Sequence, residues 1–270
     1  MGRNGGTWLI APALPQRHLD SRIDVTRIRL ILLAAIILAG SACGKNSGPG
    51  GRVNSGPGSG NLLTLEVSLP ESKYADENHR AAFFREALQR IKALPGVESA
   101  GAVSTPPSSD NKQAVRFTIE ATAGEEIDSI PAALNVVSPG YFQTLMVPLL
   151  AGRTLAETDG ADGPRVVVIN ETLARRFFPN QDPIGKRVQF GDLEEQGSEV
   201  TIIGVVGDVK YSDSADPEPE FYMSYTQASL AVMTIVVRSA GDAAGLAGSV
   251  EREVKAVDGD VTVSNTGTMK

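Results

Sequence analysis

An α+β fold is predicted for residues 62–270, built of two small sheet-and-helix sandwich lobes of βαβ-type units with mixed or antiparallel sheets. Three observations predict it. Leu63, Leu65, Val67 and Leu69 alternate with Thr64, Glu66 and Ser68, the period-two pattern of a half-buried strand. That strand leads into an amphipathic helix and then, past Pro95-Gly96, into a second apolar strand at Val97–Val103. The same strand–helix–tight turn–strand unit recurs near the other end of the chain, and LPGVESAGAV after the first helix is echoed by VDGDVTVSN after the last. Two such units, with a strand-rich middle segment as a second lobe or an insertion, can each bury one sheet face under a helix.

The elements follow in order. Asp76 stands at an N-cap position, and Phe84, Leu88, Ile91 and Leu94 mark the buried stripe of a helix running to Leu94. A strand is expected at Val115–Ala121, and a short helix at Tyr141–Met146. A strand at Arg165–Ile169 runs into a helix from Glu171 to Phe178 that Asn170 can cap. Further strands are expected at Lys186–Phe190, Val200–Val209, Glu220–Tyr225 and Val232–Arg238. The last helix, Ala243–Val257, has Asp242 as its cap and Leu246, Val250, Val254 and Val257 on its inner face. Asp258-Gly259 stops it before a strand at Val261–Ser264.

Residues 1–43 have the layout of an export or lipoprotein-type signal. Arg22, Arg27 and Arg29 form a basic start, Leu30 to Leu38 an apolar block, and Ala39-Gly40-Ser41-Ala42 the small residues a signal peptidase needs, just before Cys43. The uncharged run is about a dozen residues, short of the roughly 20 that span a hydrocarbon core. A start at Val25 would open the product directly on the basic region. Cys43 is the chain's only cysteine and the candidate lipidation site; cleavage before an unmodified Cys43 and an uncleaved anchor stay open beside it. Gly40 stands three positions before the cysteine, where lipoprotein signals usually have Leu. Residues 44–61, rich in Gly, Ser and Pro, predict a flexible tether reaching on the order of 20–25 Å as a random coil. These features predict the periplasmic side of the cell envelope, with membrane association through the N-terminal lipid or anchor.

Composition narrows the function. Without residues 1–43 the chain keeps 20 Lys/Arg against 30 Asp/Glu, a net charge of −10. So acidic a domain is a poor match for nucleic acid or anionic headgroups. With no cysteine after Cys43 there is no internal disulfide, so stability must come from a packed core.

The stock of catalytic groups is small. Of two histidines, His18 lies in the signal and His79 in the first turn of a helix, so neither a catalytic triad nor a multi-histidine metal site can be assembled. DPIGKR at Asp182–Arg187 lacks the first glycine and the Ser/Thr of a phosphate-binding loop. Glu157, Asp159 and Asp162 lack the spacing of a calcium loop and read as a turn. Glu125-Glu126, Glu194-Glu195 and Glu218/Glu220 fall in polar stretches and read as solvated surface. Asn170-Glu171-Thr172 matches a glycosylation acceptor, but Asn170 already has a capping role. The expectation is a chain that is not an enzyme and uses no cofactor or metal.

Four blocks carry a family likeness: VSPGYFQTLMVPLLAGRTL (Val137–Leu155), VVVINETLARRFFPNQDPIGKRV (Val166–Val188), IIGVVGDVKY (Ile202–Tyr211) and the stretch Val236–Met269. In this order they resemble the MacB-like periplasmic core domain of ABC-transporter permeases, in particular the acidobacterial duplicated orphan permeases. Each block also has a structural purpose: glycines for turns and a close backbone approach near Gly204 and Gly207, and Tyr141, Phe142 and Leu145 as anchors of a short helix. Met223-Ser224 stands where many members have Leu-Pro, and Ala243 where many have Pro.

The resemblance implies a non-enzymatic extracytoplasmic module of, or derived from, an export or lipoprotein-handling permease, acting by protein docking or conformational relay. The implied partners are envelope proteins of an ABC-type transport system, with no nucleic acid. Because such permeases carry membrane helices on both sides of this domain, a freestanding lipoprotein or a fragment of a broken permease gene is the further expectation. A solute- or lipid-binding lipoprotein is the alternative, and a carboxylate-dependent hydrolase a third class. Phe221, Tyr222 and Tyr225 are candidate partner contacts, weighed against roles in the core or on an edge strand.

Overall fold

The computed structural model describes residues 61–106, 114–119, 130–191, 199–209 and 216–269. Cys43 and the tether lie outside the described residues, as do Glu125, Glu126, Glu194, Glu195, Lys210 and Tyr211.

Among the described residues eleven strands and four α-helices follow one another. The first lobe opens with β1 (Leu62–Ser68), α1 (Glu77–Lys92) and β2 (Val97–Val103), and closes with β10 (Val232–Ser239), a 3-10 turn (Ala244–Leu246), α4 (Ala247–Val257) and β11 (Thr262–Met269). Its strand order is β11-β1-β10-β2, with every neighbouring pair antiparallel. Each crossover strand therefore sits between the two strands of the other unit: two interleaved split βαβ units, the ferredoxin-like arrangement. The two turns of these units are tied together, since Lys73 pairs with Asp258 and Asp260, and Tyr74 donates to Asp258 at 3.0 Å. Burial and the Asp258 hydrogen bond push the Tyr74 phenol up to about 12.

Local chemistry sets the helix ends. Asp76 Oδ1 accepts from the amides of Asn78 and His79 at 2.8 and 3.3 Å, the expected cap of α1. Phe84, Leu88 and Ile91 are buried and Leu94 packs on the core at its edge, as the helical spacing predicts. The last helix begins later than predicted. Asp242 accepts from the Ala244 amide in the turn that leads in, the 3-10 turn follows, and α4 starts at Ala247. Val250 and Val254 are buried beneath it, with Leu246 and Val257 at the rim.

The middle of the chain supplies β3 (Ala114–Ile119), β4 (Ile130–Val137), α2 (Tyr141–Leu145), β5 (Leu149–Gly152), β6 (Val166–Asn170), α3 (Glu171–Phe177), β7 (Arg187–Phe190), β8 (Glu199–Val206) and β9 (Glu220–Ser224). The α+β class and the mixed sheet agree with the sequence. Periodicity does not reveal that these strands close on themselves. The pairings β4-β3-β7-β8-β6-β9 return from β9 to β4, with β6–β8 and β4–β9 parallel and the rest antiparallel. A closed ring removes free edges. Alternation along β6 and β9 sends Val167, Ile169, Phe221 and Met223 into the ring's core and Val166, Val168 and Tyr222 outward. Inside, Phe221 meets Phe117 and Phe190 edge-to-face, at centroid distances of 4.8 and 5.1 Å.

The lobes meet at one ladder pair, Val103 opposite Val137. Serine hydroxyls complete the joint. Ser138 Oγ accepts from the Ala102 amide at 2.9 Å, and Ser104 Oγ from the Val136 amide at 3.0 Å. Over this seam lies α2, packed on β2 and β10. The approach is close enough to require glycine: a Cβ on Gly101 would stand 2.6 Å from the Tyr141 Cα and 2.8 Å from its amide nitrogen. Gly101→Ala is therefore expected to destabilise the protein by at least ~2 kcal/mol through forced backbone movement. Gly248, on α4 with open space around its Cα, should respond oppositely, Gly248→Ala adding ~0.5–1 kcal/mol. Urea unfolding of both variants beside the parent checks the pair, and similar midpoints for the two would overturn the seam's role.

Candidate functional site

The seam gathers polar and aromatic side chains around α2. Ser138 accepts the Tyr141 amide at its carbonyl to start the turn, and Thr144 Oγ1 donates to the Gly140 carbonyl. Arg238, buried in β10, donates Nε to the Thr144 carbonyl at 2.7 Å, placing a cation on the helix's last turn. Burial pulls this guanidinium below its ordinary value, with Glu98 opposing the shift. Tyr141 and Phe142 reach across to Tyr222 on the ring's outer wall at 6.4 and 5.0 Å. Beneath Tyr222 lies Glu220, whose Oε2 accepts the Tyr222 hydroxyl. Burial, with Glu220 beside it, drives the Tyr141 phenol far above its usual range.

Glu220 corrects the sequence reading. It was expected on the solvated surface with Glu218; Glu218 is exposed, but Glu220 is 1 % exposed. The polar composition around it comes from the preceding loop, while EFYMS itself is a strand buried along its whole length.

The shared sequence blocks prove to be joints. Asn170 serves α3 and β9 together: its Oδ1 accepts from Leu173 and Glu220 at 3.0 Å each, and its Nδ2 donates to the Glu218 carbonyl at 2.8 Å. With its side chain engaged and buried, Asn170 is no accessible glycosylation acceptor in the folded chain. Asp208, from the GVVGD block, takes the Thr172 amide and hydroxyl at 2.9 Å each, adding a second anion at the start of α3. Gly204 allows β5 to lie against β8, since a Cβ there would come 2.1 Å from the Arg153 carbonyl. Glu157, Asp159 and Asp162 form the expected turn. It is closed by Arg153, which grips Asp159 through two bonds of 2.7 and 2.8 Å, while the Ala156 amide adds a third. Asp182 of DPIGKR accepts from the Ile184 amide, an ordinary turn contact.

The three candidate partner contacts are all fully buried. Phe221 lies in the ring core and Tyr222 in the seam. Tyr225 donates its hydroxyl to Glu157 at 2.8 Å to Oε2, near Arg85 of α1. A surface role for these side chains is corrected accordingly: aromatic residues in an alternating strand of a closed ring face two cores. The exposed large apolar side chains among the described residues are elsewhere, at Met146, Leu149, Leu150 and Val232. The first three belong to the uncharged run MVPLLAG, which carries four large apolar residues without strand alternation.

No described helix is long and apolar enough to cross a membrane. Among the described residues, no group of three or more His, Cys, Asp or Glu is placed to hold a metal ion. A surface hollow of about 390 Å³ lies beside α3, lined by Ala174, Arg175, Phe178, Pro179, Asn180 and Gln181.

The chain belongs to the MacB-like periplasmic core domain family, which residues 49–253 match, about three quarters of its length. Among curated proteins, it is 28% identical over 153 residues to the uncharacterized ABC transporter permease YknZ of Bacillus subtilis. That match covers 55% of this chain and 34% of YknZ. It is 34% identical over 101 residues to the probable syringafactin export ATP-binding/permease protein SyfD of Pseudomonas syringae pv. tomato, covering 37% of this chain and 14% of SyfD. The chain thus spans about a third or less of these relatives. Solved structures similar to it include the periplasmic region of MacB from Actinobacillus actinomycetemcomitans (TM-score 0.49, 18% identity, 77% of this chain and 89% of that one). Another is the extracellular domain of YknZ (TM-score 0.45, 21% identity, 75% and 100%). Family membership places the folded domain on the periplasmic side of the envelope.

The Arg153–Asp159 contact has a pH signature. Hydrogen bonding to Arg153 holds the Asp159 carboxyl below its usual value. Its stabilising contribution is therefore present above the unfolded-state value near 3.9 and is lost as pH falls through the depressed native one. Asp159→Asn should flatten the acid limb of the stability–pH curve below about pH 4, and urea unfolding across pH 2–6 measures it. An unchanged limb would show that Asp159 titrates alike in both states.

Proposed function

We propose that the chain is a non-enzymatic extracytoplasmic module of, or derived from, an ABC-transporter permease of the export or lipoprotein-handling type. It acts by protein docking or conformational relay and is held to the membrane at its N-terminal end. The observation that carries this reading is the seam. One sheet runs through both lobes, and α2 is wedged against β2 and β10 with no room for a Cβ at Gly101. A displacement applied to the β1/β11 side must then move the ring with it, as a relay requires. Family membership supports the same reading.

Two experiments test it. Crosslinking in native envelopes followed by mass spectrometry should yield adducts containing a component of an ABC-type transporter; recovery of the chain alone would overturn the docking reading. For the anchor, a fatty-acid probe should label the parent and not Cys43→Ser. Equal labelling of the two, or none of either, would remove lipidation at Cys43.

A further inference from the structure

We infer that the ridge Met146–Leu150 is a lipid-contacting surface that seats the domain on the bilayer beside the point where the chain enters it. This rests on the membrane-held reading above. Met146 is 62 % exposed, Leu149 45 % and Leu150 50 %; with Val232 they are the large apolar side chains so exposed among the described residues. Pro148 and Ala151 are also exposed, and residues 146–152 carry no charge. The cation that follows, Arg153, is held by Asp159.

The ridge is built into the fold. Met146 takes φ 58°, a left-handed C-cap, with its amide on the Gln143 carbonyl and the Val147 amide on that of Phe142. Beyond it the Gly207 amide donates to the Pro148 carbonyl, and the Arg153 amide to that of Ile203. The turn therefore presents its apolar side chains in a fixed place.

That place supplies the occupant. Leu62, the first residue of β1, pairs with Arg238 on one side and Met269 on the other. Arg238 in turn bonds Thr144, two residues before Met146. Leu62 is buried in the small core where Leu145, Val147 and Met269 also pack. The ridge and the point where the chain enters the fold thus share one core. Eighteen residues, rich in Gly, Ser and Pro, separate Leu62 from Cys43. On the membrane-held reading, a lipid or anchor upstream is joined to the domain on the side where this core lies. An acidic domain gains nothing from anionic headgroups, so the contact must be apolar, as Met and Leu at the headgroup boundary provide. A docked protein is the competing occupant.

The test uses the full chain in its native membranes, with a benzophenone amino acid at Leu150 or at Arg252. Arg252 is exposed on α4, which packs on the opposite face of the first lobe's sheet from α2. Lipid adducts should exceed those at Arg252 by about tenfold or more, in line with burial of a largely exposed leucine. Protein adducts at Leu150, or equal lipid adducts at both positions, in a chain that pellets with membranes would overturn the inference while leaving the anchor intact. A chain that stays in the supernatant and yields no lipid adduct would overturn both. Thermal melts of the two labelled proteins, expected to match the parent, confirm that the probes report on a folded domain.

Discussion

The contact between Tyr141 and Gly101 is the constraint on which the rest of the domain depends. The two lobes share a single ladder pair, and the chain passes between them only twice, after β2 and before β10. Left to that pair they would be two bodies on a hinge. The wedge of α2 removes the hinge, because Tyr141 and Phe142 bury their rings against the ring wall while the helix backbone rests on β2. Two fully buried aromatic side chains contribute roughly 1.5–3 kcal/mol each. That suffices to hold a seam that backbone pairing alone would leave weak.

The seam is unusual in being polar as well as aromatic. Ser104, Ser138, Thr144, Arg238 and Glu220 all sit in or beside it, and each is hydrogen-bonded. Apolar packing supplies the attraction here, and the polar groups select one alignment of the lobes.

Much of this was legible in the sequence, where one segment makes its own argument. The caps at Asp76 and Asn170, the stripe of α1 and the alternation of β1 depend on neighbours within a few residues, and the structure has them all. The strand β4 was not visible: in IPAALNVV residues 132–137 are buried on both sides and Pro131 interrupts the run, so neither alternation nor propensity marks it. Nor was β5, four exposed residues held by a close approach to Gly204. Ring closure depends on pairing between segments about 90 residues apart, such as Leu134 with Phe221, which no local pattern encodes. The same closure gives the aromatic cluster at 221–225 the core role weighed beside partner contact. Its strand has no solvent side.

The interleaving of the first lobe also sets an order of events during synthesis. The partners of β1 are β10 and β11, which begin at Val232 and Thr262. β1 is therefore made long before either partner, and both its edges stay open until β10 and β11 exist. The ring needs nothing beyond β9 and can close earlier. A chain arrested before residue 232 would hold a finished ring beside an unpaired βαβ unit, a template for joining strands of other molecules.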